Sequence, residues 1–386
     1  MVESRWLRWI GPGVVALGAV GFIASTTNGA GARPWTPGAC AGPPSARIEA
    51  AREVVPPGLA DLRTTPWFRL DPVLDAEGAS SGRRLAVGLD GDQTARITDL
   101  SAESFAAGPF GRVVLVGSDD GTTSDLRAID IAAGCSWSIG RERAVIRRAT
   151  MDPTGTEIYE MRVDRVSRAD LGIWLRPTDG RAEAHRVLAP IAADGRFGRT
   201  YSTEFTWDLA GDRLAIQSCG EAACRIRVIF PGGGPAVTLD APDLGLLIGL
   251  DGDRVVTYVA CRGFPCPIVS TNMESGQRRV LAESAGPAVV VGTDDGIRLV
   301  HEYGTPTGRA LRSVPLDGGT PSDLGPLPDG LDLHAGPARA DAATRIPAGW
   351  ILLAPDGRMP ADRSSRRPHL RHIPDGVTVP FDEAAR

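Results

Sequence analysis

The sequence predicts an all-β fold, a β-propeller of six full four-stranded blades with a partial or short seventh at the N-terminal side. Three observations predict it. Two series of glycine turns keep step along the chain, short β-prone runs replace any sustained helical period, and a Cys-x4-Cys unit occurs twice, at Cys219 and Cys224 and, 42 residues on, at Cys261 and Cys266. A repeat of about 40 residues that is rich in short strands is the length of one propeller blade.

The chain begins with Arg5 and Arg8 ahead of an uncharged stretch from Trp9 to Ala32, whose apolar centre runs from Ile10 to Ala24. That is the charge and hydropathy pattern of an export signal, and Ala30-Gly31-Ala32 offers a small-residue cleavage site. The run is also long enough for a transmembrane helix. Residues 1–32 are therefore expected to be a signal sequence or a single-pass membrane anchor. The body would be exported, and either anchored through this segment or secreted after cleavage. Residues 33–65, with Pro34, Pro37, Pro43, Pro44, Pro56 and Pro57, read as a linker carrying one short helix from Ser45 to Val54.

Residues 66–386 are expected to form the propeller. Three strands, WFRLDPVL from Trp67, RRLAVGL from Arg83 and TARITDL from Thr94, come first. Gly82 would extend the first glycine series, but the 29 residues from Gly82 to Gly111 are too few for a whole blade. The segment is thus a short seventh blade or extra strands closing the ring. Beyond it, Gly111, Gly155, Gly211, Gly252, Gly296 and Gly349 each precede an apolar strand. Gly134, Gly180, Gly233, Gly276, Gly318 and Gly376 follow the next strand. Gaps in the two series widen and narrow together, as they must when each repeat is one sheet and insertions fall in loops. Four-stranded sheets leave edges and faces bare, and closing them into a ring covers both.

The turn residues Asp152-Pro153-Thr154-Gly155, Trp207-Asp208-Leu209-Ala210-Gly211 and Ala354-Pro355-Asp356-Gly357 are degenerate copies of a Trp-Ser-Pro-Asp-Gly turn. On these residues the body resembles the exported TolB-type, WD-repeat-like propellers. The resemblance implies the propeller fold and a role in binding proteins or partnering hydrolase domains.

Composition narrows the chemistry. A formal charge of -5 excludes the basic field of a nucleic-acid binder, and all 42 cations are Arg, so no lysine nucleophile or phosphate-loop lysine exists. In each Cys-x4-Cys unit the first cysteine ends a strand and the second starts the return strand, within disulfide reach. A four-thiolate zinc site across two neighbouring blades is the competing reading. Cys40 and Cys135 remain, and pairing them would pin the linker to the first full blade. No Gly-x-Ser-x-Gly elbow occurs, and His369 and His372, three apart on a strand, point to opposite faces. The carboxylate pairs Asp119, Asp120 and Asp294, Asp295 read as equivalent turn residues. No catalytic residue, metal site or cofactor is assigned.

One strand stands out. In YEMRVDR, Glu160, Arg162 and Asp164 alternate with Tyr159, Met161 and Val163. Both faces of a blade pack on neighbours, so this row must be ion-paired, lie at a rim or face the channel. It is either a same-strand ladder or a recognition surface. The expected function is a non-catalytic extracytoplasmic module that binds or scaffolds an envelope protein or ligand, with the charged row as candidate binding site. The alternative is a hydrolase or lyase acting on a glycan or peptide from the central channel, which requires carboxylates converging from several innermost strands.

Overall fold

The glycine series set the turns. All eleven of those glycines in the described residues have positive φ, from 52° at Gly252 to 114° at Gly296, a backbone region that side chains with a Cβ rarely adopt. The structure is a computed structural model that describes residues 33–35, 38–40, 67–74, 80–88, 96–101, 104–107, 112–117, 123–130, 133–167, 169–190, 202–219, 224–240, 244–259, 263–333, 349–355 and 369–380.

Two short strands come first, β1 (Arg33–Trp35) and β2 (Gly38–Ala39). Blade one is the antiparallel meander β3 (Trp67–Leu74), β4 (Ser80–Gly88) and β5 (Arg96–Ser101), with β1 added parallel to β5 as its fourth strand. Gly82 lies inside β4 rather than at a turn, so it does not extend the glycine series. Blade two holds β6 (Ser104–Ala107), β7 (Arg112–Gly117), β8 (Ser124–Asp130) and β9 (Cys135–Glu142), and β2 runs parallel along β9. Blade three is β10 (Val145–Met151), β11 (Glu157–Val163), β12 (Asp170–Pro177) and β13 (His185–Leu188). Blade four is β14 (Ser202–Trp207), β15 (Leu214–Cys219), β16 (Cys224–Ile229) and β17 (Val237–Asp240).

Blade five is β18 (Leu244–Asp251), β19 (Arg254–Val259), β20 (Cys266–Asn272) and β21 (Arg278–Ala285). Blade six is β22 (Ala288–Thr293), β23 (Gly296–Thr305), β24 (Gly308–Pro315) and β25 (Ser322–Pro326). Blade seven is β26 (Leu331–Leu333), β27 (Trp350–Pro355), β28 (His369–His372) and β29 (Thr378–Pro380). Six antiparallel four-stranded blades and a partial one at the N-terminal side are what the turn spacing predicts. The first glycine series falls between first and second strands, the second between third and fourth.

First strands of successive blades lie side by side from β6 through β10, β14 and β18 to β22, which makes them the innermost. Along a strand, alternate residues point to opposite faces. Each blade therefore packs one set on the preceding blade and the other on the following one. Five apolar clusters fill the seams from blades two and three to blades six and seven; Tyr159, Met161 and Ile173 meet Phe205, Leu214 and Ile216 between blades three and four. Full burial of one such side chain is worth about 1.5–3 kcal/mol.

No helix among the described residues is long and apolar enough to cross a membrane. Their backbone groups are paired between strands, and the expected transmembrane helix, with membrane attachment through it, is not found among them. The segment itself, residues 1–32, and the expected helix from Ser45 to Val54 lie outside the described residues. Asp294 and Asp295 form the turn between β22 and β23, a first-to-second-strand connection; Asp119 and Asp120, expected to be their equivalents, come between β7 and β8 in the sequence and lie outside the described residues. Ala354-Pro355 ends a second strand instead of preceding one.

Candidate functional site

Strand β11 carries the charged row, and its register decides what the row can do. Glu160 and Arg162 lie five and seven residues after the turn glycine Gly155, on the face towards blade two, and are 0% and 4% exposed. Glu160 pairs through its Oε2 with Arg162, whose Nε and Nη2 donate at 2.8 and 2.6 Å, and through Oε1 with the Nε of Arg176 on β12 at 2.7 Å. Glu142, at the end of β9 in blade two, accepts from Arg162 Nη1 at 2.9 Å and from Arg176 Nη2. The four side chains thus close a ring of alternating charge across the seam between blades two and three. Arg162 also lies 4.4 Å over the ring of Trp174.

Each carboxylate oxygen of the ring has an arginine and the net charge is zero, the condition under which buried ions are tolerated. Burial pulls the Arg176 guanidinium down, but Glu160 and then Glu142 outweigh it and raise it above its ordinary value. Arg176 Nη1 donates to the carbonyl of Ile139 at 3.1 Å, passing over Gly140, where a Cβ would stand 2.0 Å from that nitrogen.

Asp164 is not part of the ring. β11 ends at Val163, and the Asp164 carboxylate accepts from the Ser167 backbone N–H and hydroxyl at 2.7 Å and from the Val166 N–H at 3.1 Å. Those bonds, Ser167 first, hold it below the usual carboxylate range. It orders the loop that presents Val166, which is 92% exposed.

Three further seams use one position. Six residues after the turn glycine, on the face towards the next blade, stand Gln217, Tyr258 and Glu302. Gln217 donates through Nε2 to the Gly245 carbonyl at 2.6 Å and accepts the Leu247 N–H at 2.9 Å, so its amide replaces a strand partner where β18 breaks register. Leu246 between them is turned outward, 48% exposed. The Tyr258 hydroxyl donates to the Gly286 carbonyl at 3.1 Å, and Glu302 Oε1 accepts the Leu333 N–H at 2.6 Å. Burial pushes the Glu302 carboxyl up, partly offset by that N–H and by Arg309.

On the innermost strands, Arg148 of β10 donates through Nη2 to both oxygens of Glu204 on β14, at 2.9 and 2.6 Å. The turn aspartates recur in role as well as in sequence: Asp152 accepts the N–H groups of Thr154, Thr156 and Glu157, and Asp208 those of Gly211, Asp212 and Arg213. Burial, reinforced by Asp212, pushes the Asp208 carboxyl up to about 7. Among the described residues no group of three or more His, Cys, Asp or Glu side chains is placed to hold a metal ion.

The cysteines staple loops. Cys40 is bonded to Cys135 with Cα atoms 5.1 Å apart, tying β2 to blade two, and Cys219 to its cross-strand neighbour Cys224 at 4.0 Å. Cys266 is disulfide-bonded; its expected partner Cys261 lies outside the described residues. His301 is buried with Nδ1 3.0 Å from the Glu302 carbonyl oxygen, and burial pushes it below its ordinary value. His372 pairs with Asp375 at 2.9 Å.

Sequence reasoning found Glu160 and Arg162 but missed Glu142, Arg176, Gln217, Tyr258 and Glu302. For the last three the signal was present as a constant offset from the turn glycine. For Glu142 and Arg176 it was not, because they belong to other strands.

Compared with solved structures, the chain is similar to a puromycin-hydrolyzing peptidase of Mycobacterium tuberculosis, with 14% identity, a TM-score of 0.54, and coverage of 91% of this chain and 56% of that one. It is similar to a prolyl endopeptidase at 12% identity and a TM-score of 0.54, over 82% of this chain and 48% of that one. TolB from Acinetobacter baumannii aligns over 90% of this chain and 94% of its own at 10% identity and a TM-score of 0.40. The chain spans about half the length of the two peptidases, and at these identities the likeness is one of fold. No protein-family model matches the chain, and no curated protein matches it.

Proposed function

We propose that the protein is a non-catalytic propeller that works outside the cytoplasm and binds a protein partner through the face formed by its second-to-third-strand loops. One observation carries the reading: this face holds large apolar side chains in the open on rigid supports. Phe264, 52% exposed, stands in the loop between β19 and β20 beside the disulfide-bonded Cys266, edge-on to Tyr258 at 5.2 Å. Val166 rides the loop that Asp164 orders. Leu246 is fixed at the start of β18 by Gln217 on either side. Side chains already immobilised lose little entropy on binding, so their apolar area converts more fully into affinity.

The disulfides support a location in an oxidising compartment. Glu160 and Arg162 are enclosed in a seam and answered by Glu142 and Arg176, which leaves them to architecture; Asp164 alone of the row stays on the binding face. The test is cross-linking capture from intact cells with the wild-type protein and with Phe264→Ser and Val166→Ser. Loss of a specific partner at unchanged thermal stability supports the proposal. Equal capture by all three proteins, or turnover of a glycan or peptide substrate by the pure protein, defeats it.

A further inference from the structure

The seam between blades three and four contains an arginine whose fork faces no acceptor. Arg227 on β16 is 8% exposed; its Nη1 donates to the Ala189 carbonyl at 2.5 Å, while Nε and Nη2 are buried and have no hydrogen-bond partner. These two nitrogens form the side-on edge that matches a carboxylate. The same edge is occupied by a carboxylate in Arg141 with Asp125, Arg162 with Glu160, and Arg225 with Asp240. In Arg227 that edge holds no partner.

A second donor stands on the same surface. Ser218 on β15 pairs with Arg225, two residues from Arg227, so alternation places Ser218, Arg225 and Arg227 on one face. That face looks at blade three, because Ile216, cross-strand to Arg227, packs on Tyr159 and Met161. The Ser218 hydroxyl is buried and unpartnered as well. The facing strands are close-packed: at Gly172, with φ of 88°, a Cβ would lie 2.2 Å from the Leu188 carbonyl oxygen. Asp170 on that side is near enough to be felt electrostatically, but its Oδ1 accepts the Gly172 N–H at 2.7 Å. Burial pushes the Arg227 guanidinium below its ordinary value, Asp170 offsetting part of this and Arg225 adding to it.

We propose that this seam is a binding site for a small carboxylate, received side-on by Nε and Nη2 of Arg227 and by the Ser218 hydroxyl. The donor set is all N–H and O–H around one positive charge that Asp170 only partly offsets, and it suits an anion with two coplanar oxygens. The third nitrogen of Arg227, Nη1, is held by the Ala189 carbonyl, which leaves Nε and Nη2 for the ligand. A bound carboxylate would neutralise the buried charge and tie blade four to blade three.

The experiment uses the full chain and acetate as probe. Melting temperature is measured in sodium acetate and in sodium chloride of equal ionic strength for wild type, Arg227→Gln and Ser218→Ala. An anion bound at ten times its Kd should raise the wild-type melting temperature by about 2 °C over chloride. The shift should vanish in Arg227→Gln and shrink in Ser218→Ala. No acetate shift in the wild type, or an undiminished shift in the variants, overturns the site. If Arg227→Gln does not fold, Ser218→Ala decides alone, a smaller shift supporting the site and an equal one rejecting it.

Discussion

The seam between blades two and three and the seam between blades four and five solve the same problem in opposite ways. The first closes with Glu142, Glu160, Arg162 and Arg176, four ions that are stable only as a set. The second closes with the single amide of Gln217, which supplies one donor and one acceptor to the interrupted edge of β18. Charge in a seam gives direction and register at a high cost of desolvation; an amide gives the same register at little cost. The charged seam is accordingly the one where a single substitution does most harm.

Glu160→Leu should cost about 3–5 kcal/mol in urea denaturation, because it leaves Arg162 and Arg176 buried with half their partners. Combining it with Arg162→Met and Arg176→Leu should recover much of the loss. If Glu160→Leu costs no more than a surface change, the ring is not the closure described here. Gln217→Leu comes next: it leaves the Gly245 carbonyl and the Leu247 N–H unpaired and should cost about 2 kcal/mol by the same assay. An equal loss in the two variants would erase the contrast between the seams.

The smaller effects sharpen it. Tyr258→Phe removes one hydrogen bond, to Gly286, and should cost about 1 kcal/mol. Asp208 offers a pH test at a turn. Its carboxyl is pushed up to about 7, against about 3.9 in an unfolded chain. The folded state therefore holds the proton more tightly, and this group's contribution to stability is fullest below pH 4 and lost as pH rises to 7. Asp208→Asn should flatten that decline in a melting-temperature series from pH 4 to 8. A wild-type slope kept intact in the variant would assign the decline to other groups.

Much of the fold was legible because turns demand particular residues. Glycines at positive φ recur at the first and third connections of a blade, so Gly155, Gly211 and Gly252 mark second strands and Gly180, Gly233 and Gly276 mark fourth strands without any knowledge of packing. Gly82 misled because a glycine inside a strand looks the same in sequence as one at a turn. The strand β1 was invisible as part of blade one, since nothing local to Arg33–Trp35 says that it lies along β5. At the site, alternation along β11 marked Glu160 and Arg162 as a charged row, but Asp164 continued the pattern only in sequence, the strand having ended at Val163. Which face the row occupies depends on neighbours from β9 and β12, and those are set by packing.

Buried charge in this protein joins blades, and the proposed partner site lies on the loop face. Quantitative cross-linking capture on intact cells, comparing Phe264→Ser with the triple variant Glu160→Leu, Arg162→Met, Arg176→Leu, tests this division of roles most directly. The partner should be lost with Phe264→Ser, at wild-type melting temperature, and retained by the triple variant. Retention with Phe264→Ser and loss with a folded triple variant would contradict it.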